Sequence, residues 1–168
     1  MLPLPPFFVS LVYFVFLLSG VPNAVQVDDA LFNYVDTALP FFQASADCLA
    51  SYGGSLASIH SETENTAVYE LNPTLEARWI GLYEASDVED VFSWTDGTNV
   101  TYTNWQDGEP NNFLGNPEKC GVMHKLSGAD VAAGTWNDVE CDSTAPYVCK
   151  RNLAYEGIAF CLYSFCEV

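Results

Sequence analysis

Glu109, Asn111, Glu118, Asn137 and Asp138 bring carboxylates and carboxamides together within one loop-like region of the chain. Between the first three run Pro110, Asn112, Gly115 and Pro117, residue types that make turns rather than helices or strands. Hard oxygen donors gathered on loops suit a calcium ion better than a transition metal. They equally suit a ligand that is itself a set of hydroxyls. Neighbouring acids are more often solvated surface than a site; the interleaving with Asn and Gly is what favours calcium here. A looser set, Glu84, Asp87, Glu89, Asn112 and Glu118, offers an auxiliary cation site, although solvated acids explain it better.

The rest of the chain has to hold those loops in place. A length of 168 residues suits one domain, and 49 % hydrophobic with 14 % aromatic residues supplies a core. The formal net charge is −17, from 22 acidic residues against five Lys and Arg. Such a field repels phosphate backbones, which argues against a nucleic-acid partner, and attracts divalent cations.

Residues 1–24 read as a signal peptide. Positions 7–18 are apolar apart from Ser10, too short a run to span a bilayer, and the small residues Ser19, Gly20 and Ala24 follow. No Lys or Arg precedes the run, so an uncleaved membrane anchor is the alternative to secretion. Secretion changes how the six cysteines are read, because an even count in an oxidising compartment implies disulfides. None forms a CxxC pair and only His60 and His124 are present, which disfavours zinc. The spacing leaves the pairing open.

Residues 31–35 read as a strand. Pro40 suits a first helical turn, and Phe41, Ala44, Cys48, Leu49 and Tyr52 recur at helical spacing up to the stop at Gly53-Gly54. Residues 56–59 read as a strand or extended connection. Ser61 and Glu64 form a capping box for a second helix with an apolar face of Ala67, Val68 and Leu71, ended by Pro73. Short β-like pieces follow at 78–82, 91–94, 102–105, 119–123 and 146–150, with turns at Asp96-Gly97 and 136–138 and a loop from 107 to 117. Helices first and short strands afterwards predict an α+β domain with small antiparallel sheets. Residues 152–168 form an apolar tail with Cys161 and Cys166, tied either by its own disulfide or to another chain, which would make an oligomer.

In order and spacing, Cys48 before Gly53-Gly54, Trp79-Ile80-Gly81-Leu82, Trp94, Asn104-Trp105, Glu109-Pro110-Asn111, Cys120, Trp136-Asn137-Asp138, Cys141 and Cys149 resemble a C-type lectin domain from about Leu31 to Arg151, which places the domain at residues 25–151. The resemblance implies disulfides Cys48–Cys149 and Cys120–Cys141, and packing roles for Trp79, Trp94, Trp105 and Trp136. It implies a calcium held by Glu109, Asn111, Glu118, Asn137 and Asp138, with the same side chains bonding two sugar hydroxyls. It also implies a cis Glu109–Pro110 bond. Glu before the Pro and Asn after it is the family order for mannose, glucose, N-acetylglucosamine or fucose; Gln and Asp there would suggest galactose. The stretch from Asn111 to Glu118 is one residue longer than the family pattern and carries Phe113 and Leu114, which either pack within the loop or meet a sugar face.

The expectation is therefore a secreted, calcium-dependent carbohydrate-binding protein whose partners are glycans or glycoproteins, with Asn99-Val100-Thr101 as a glycosylation sequon. The competing reading is a module of the same fold that binds protein or another non-sugar ligand. No Ser-His-Asp or Cys-His arrangement is apparent, and the acids are better explained as a metal cage than as a glycosidase pair, so catalysis is not expected.

Overall fold

The computed structural model describes residues 23–73, 77–86, 91–124 and 134–153. Residues 1–22 of the expected signal segment, Asp87, Glu89 and residues 154–168 of the tail, with Cys161 and Cys166, lie outside them, whereas Ala24 and Asn152 belong to strands. The element order is β1 (Ala24–Val27), β2 (Ala30–Pro40), α1 (Phe41–Tyr52), β3 (Ser55–Leu56), α2 (Glu62–Glu70), β4 (Ala77–Glu84), β5 (Phe92–Trp94), β6 (Cys120–His124), β7 (Trp136–Val139) and β8 (Thr144–Asn152), with a short 3-10 turn at Phe113–Gly115.

The expected small sheets are joined into one sheet of eight strands, ordered β1-β2-β8-β4-β6-β7, with β3 added to β8 and β5 to β4. All pairings are antiparallel except β4 with β8, which meet in parallel at Trp79 and Tyr147. β8 pairs along most of β2 on one side and lies beside β4 on the other, so the last strand sits inside the sheet.

The side-chain alternation of β4 and β8 divides the core into two clusters. Trp79, Tyr147 and Cys149 join Phe41, Ala44, Cys48 and Leu56. Ile80, Leu82 and Val148 join Phe32, Val68, Trp94 and Trp136. Successive strand residues point to opposite faces, so the sheet separates the layer packed on α1 from the layer packed on α2. Burying each large apolar side chain contributes roughly 1.5–3 kcal/mol. Trp79, Trp94 and Trp136 are buried, whereas Trp105 is half-buried and lies edge-on to Trp136 at 6.0 Å.

Local chemistry fixes both helices. Pro40 precedes the first residue of α1, and Gly53 at φ 65° caps its end, accepting a left-handed conformation that costs glycine little. Gly54 then presses directly on the Lys150 carbonyl, where any Cβ would collide. The expected stripe on α1 needs correcting: Phe41, Ala44 and Cys48 are buried, but Leu49 is 71 % exposed. The Cys48–Cys149 disulfide turns that face of the helix inward and rotates Leu49 out of it.

At α2 the Glu64 N–H donates to Ser61 Oγ at 3.2 Å, as a capping box requires. The Glu64 carboxylate departs from the motif: it accepts from the His60 N–H at 2.6 Å and meets Lys150 Nζ at 3.0 Å, tying α2 to β8. Buried Arg78 closes the other end, donating to the carbonyls of Val68, Tyr69 and Asn72. The carbonyls of Val68 and Tyr69 are among those a helix C-terminus leaves without partners, and they carry the negative end of its dipole.

Candidate functional site

The expected turn at 136–138 is strand β7, paired with β6 so that Gly121 faces Asp138 and Val122 faces Asn137. The reason is tertiary. Trp136 fills the core while residues 104–106 lie along its other edge, the Trp136 N–H donating to the Asn104 carbonyl and the Gln106 N–H to the Trp136 carbonyl, each at 2.8 Å. Residues 102–105, expected as β-like, accordingly contribute one isolated bridge, Trp105 to Trp136. Disulfides join Cys48 to Cys149 and Cys120 to Cys141, the pairing the family resemblance implies. The second clamps the start of β6 to the residues just beyond β7, holding Glu118 and Asp138 on neighbouring strand ends.

Glu109–Pro110 is cis. Just beyond it, the loop folds over Asp138. The N–H groups of Asn111 and Asn112 both donate to the Asp138 carboxylate, at 3.1 and 2.9 Å. The Phe113 N–H donates to Glu118 Oε2 at 2.7 Å, and the Glu118 N–H returns a bond to Asn112 Oδ1 at 2.9 Å. Asp138 and Glu118 are thus the posts on which the loop is hung.

Glu109 shows the electrostatic consequence. Its carboxyl is pushed up from the ordinary 4.5 to about 7, first by burial, then by the adjacent Asp138 carboxyl and by Glu118, while Asn111 pulls the other way. Its Oε2 is buried without a hydrogen-bond partner, and so is Asn137 Oδ1. The structure therefore brings Glu109, Asn111, Glu118 and Asp138 into one cluster. It sets Asn137 beside Asp138 on β7 with its amide oxygen unanswered.

Among the described residues no three His, Cys, Asp or Glu side chains stand together as a metal site by themselves. The mixed set nevertheless fits a hard cation: a buried acceptor without a donor costs free energy that an oxygen-seeking ion would recover. The auxiliary set fares less well. Glu84 is 3.8 Å from Lys119, and Asn112 and Glu118 are engaged with the loop backbone.

Sequence reasoning missed Asn65. Buried in α2, it donates to the Gly134 carbonyl at 3.1 Å and accepts from Trp136 Nε1 at 2.8 Å, fixing the entry to β7. Its one visible signal is a polar residue in line with Val68, three positions on along the buried face. Asn104 supports the same point, donating to the Gly134 carbonyl at 2.9 Å.

Residues 37–151 match the family model described as the Lectin C-type domain. The chain belongs to the C-type lectin domain family. It is 35 % identical over 130 residues to an alpha-N-acetylgalactosamine-specific lectin of Patiria pectinifera, spanning 72 % of this chain and 73 % of that protein. It is also 35 % identical over 119 residues to the secretory phospholipase A2 receptor of Mus musculus, but there it spans only 7 % of the longer protein.

Among solved structures, the cow C-type carbohydrate-recognition domain of CD23, crystallised with a GlcNAc2Man3 oligosaccharide, superposes with TM-score 0.66 at 31 % identity, over 77 % of this chain and 93 % of that one. A calcium-independent type II antifreeze protein superposes equally well, TM-score 0.66 at 29 % identity, over 77 % and 92 %. The α+β architecture is the C-type lectin fold, and the family is a non-enzymatic carbohydrate-binding one, so the chain is a lectin-like binding module rather than an enzyme.

Proposed function

We propose that this C-type lectin domain protein is a secreted, calcium-dependent binder of mannose-, glucose-, N-acetylglucosamine- or fucose-type glycans. Glu109, Asn111, Glu118, Asn137 and Asp138 would hold the calcium. The observation that carries the reading is the pair of buried, unpartnered oxygens, Glu109 Oε2 and Asn137 Oδ1, beside carboxylates close enough to lift the Glu109 titration. When bound, the calcium supplies a point charge that takes hydroxyl oxygens.

The chain's own side chains do the rest. Carboxylates accept from the sugar hydroxyls and Asn amides donate to them, and such charge-assisted bonds are roughly twice as strong as neutral ones. Glu on one side of Pro110 and Asn on the other favours the mannose-type class, although the Patiria relative is named for N-acetylgalactosamine.

Secretion is supported by the two disulfides and by the apolar segment at 7–18. The sequon at Asn99 lies in an exposed stretch just past the turn at Asp96-Gly97, which supports glycosylation there. In the tail, an intramolecular Cys161–Cys166 pair is proposed, with cross-linking to another chain as the alternative. The second reading of the domain, a non-sugar module, draws on the antifreeze likeness. A glycan array read with calcium and again with excess chelator separates the two. Calcium-dependent retention of mannose-type glycans is expected. Binding that survives the chelator, or no glycan retained at all, rejects the proposal.

A further inference from the structure

We propose that the chain's own apolar tail, residues 154–168, docks on the outward face of α1 and covers Phe42 and Leu49. The proposal is independent of the glycan reading.

A surface helix ordinarily keeps one apolar face for the core and turns charged and polar side chains to solvent. In α1 the inner face is filled by Phe41, Ala44 and Cys48. The outer face carries Phe42, Ala46, Leu49 and Ala50, all exposed, at the i, i+4, i+7 and i+8 spacing of one continuous stripe. Phe42 is 60 % and Leu49 71 % exposed, and Asp47 is the one charged residue of the helix. A helix apolar on both faces is built to be covered on both.

Two observations name the occupant. The first is where the chain leaves the domain. Pro40, just before α1, pairs with Thr144, and Gly54, just after it, presses on the Lys150 carbonyl, so α1 runs alongside β8 in the same direction. β8 ends at Asn152, and the Leu153 N–H donates to the Asp29 carbonyl at 2.6 Å. The tail therefore departs within a few residues of the C-terminal end of α1. The second is its composition: residues 158–165 hold no charged side chain and include Ile158, Phe160, Leu162 and Phe165. Gly157 stands before this run, a residue type that lets a chain reverse direction.

Reach and area agree with that occupant. The 12 residues of α1 span about 18 Å, whereas residues 154–168 extend up to about 50 Å, enough to return along the whole helix. One helix face about 18 Å long and 10 Å wide is small for holding a second copy, because specific interfaces bury about 1,200 Å² or more. A tethered segment needs far less, since the tether gives it an effective concentration on the order of millimolar.

The test uses the full chain in calcium buffer with p-benzoylphenylalanine in place of Leu49. It is irradiated at several protein concentrations, and the cross-linked peptides are identified by mass spectrometry. Cross-links from position 49 to peptides within residues 153–168 are expected at the monomer mass, in a yield independent of concentration. In the native chain, amide hydrogen exchange of the tail should be slower than in an unstructured peptide by about ten-fold or more. It should return to near the unstructured rate in Phe42→Ser/Leu49→Glu, with exchange in β4 and β6 unchanged as the folding control. Phe160→Ser/Leu162→Ser leaves α1 and the sheet as they are and should release the tail in the same way.

Cross-links at the dimer mass that grow with concentration would show that a second copy covers α1, and they overturn the proposal. So do cross-links that miss the tail, or none at all. Tail exchange at the unstructured rate in the native chain, or protection unchanged in both double variants, also overturns it.

Discussion

At the scale of single residues, Glu109 concentrates the chemistry. Its carboxyl is raised to about 7 by burial and by Asp138 and Glu118, so the folded, metal-free protein holds a proton there that the unfolded chain releases near 4.5. A raised carboxyl stabilises the folded state below the unfolded value, and that contribution is lost as pH rises through about 7. In chelator, native protein should therefore gain stability relative to Glu109→Gln as pH falls from about 7 toward 4.5. If Glu109 is a calcium ligand as proposed, calcium and the proton would compete for the same carboxyl, and calcium affinity should weaken over that range. Melting curves at several pH values, with and without calcium, give both readings, and a calcium shift independent of pH contradicts the role assigned to Glu109. Exchanging the pair flanking Pro110, Glu109→Gln with Asn111→Asp, should move selectivity from mannose-type toward galactose-type glycans on the array. Unchanged selectivity would mean that these side chains do not touch the sugar.

At the scale of elements, β7 is aimed by a helix far from it in sequence. Asn65 on α2 answers both the Trp136 indole N–H and the Gly134 carbonyl, and it is only 4 % exposed. Asn65→Ala should cost about 2 kcal/mol in urea unfolding, because the buried indole N–H loses its partner while the Gly134 carbonyl keeps only Asn104. It should also weaken calcium binding by letting β7 shift. A loss below about 0.5 kcal/mol would show that water or a neighbour replaces the amide. Arg78 plays the matching part at the end of α2, where Arg78→Met would leave the carbonyls of Val68, Tyr69 and Asn72 unanswered.

For the molecule as a whole, a chain carrying 22 acids against five basic side chains sets Asp138 and Glu118 near enough to Glu109 to raise its carboxyl. A cation that binds the folded state there and not the unfolded chain stabilises it by about 2.7 kcal/mol at a concentration 100-fold above its Kd. Thermal unfolding should shift upward with calcium and return with chelator; an unmoved transition argues against a folded-state site. The Cys120–Cys141 disulfide closes a separation of 21 residues, worth roughly 3 kcal/mol on a loop-entropy model. The double Cys→Ser variant should lose about that much, and calcium binding should fall further than stability alone explains, because the bond also joins the strand ends that carry Glu118 and Asp138.

The sequence by itself determined the two helices, their caps and the family, because these rest on local chemistry and on residue order, and it offered the five oxygen donors as residue types. Pro40 and Gly53 bound α1, Ser61 caps α2, and the cysteine and tryptophan order is readable without coordinates. Only the tertiary structure decided where β-like pieces became strands. Residues 136–138 look like a turn in isolation and became β7 because Trp136 is buried and paired on both edges. Leu49 fits the helical stripe by spacing yet faces solvent, because a disulfide from the last strand sets the helix's rotation. The donors on Glu109-Pro110-Asn111 were legible as residue types. Their burial, the unanswered oxygens and the outward set of Phe113 and Leu114 arise from contacts across the chain, which no local pattern encodes.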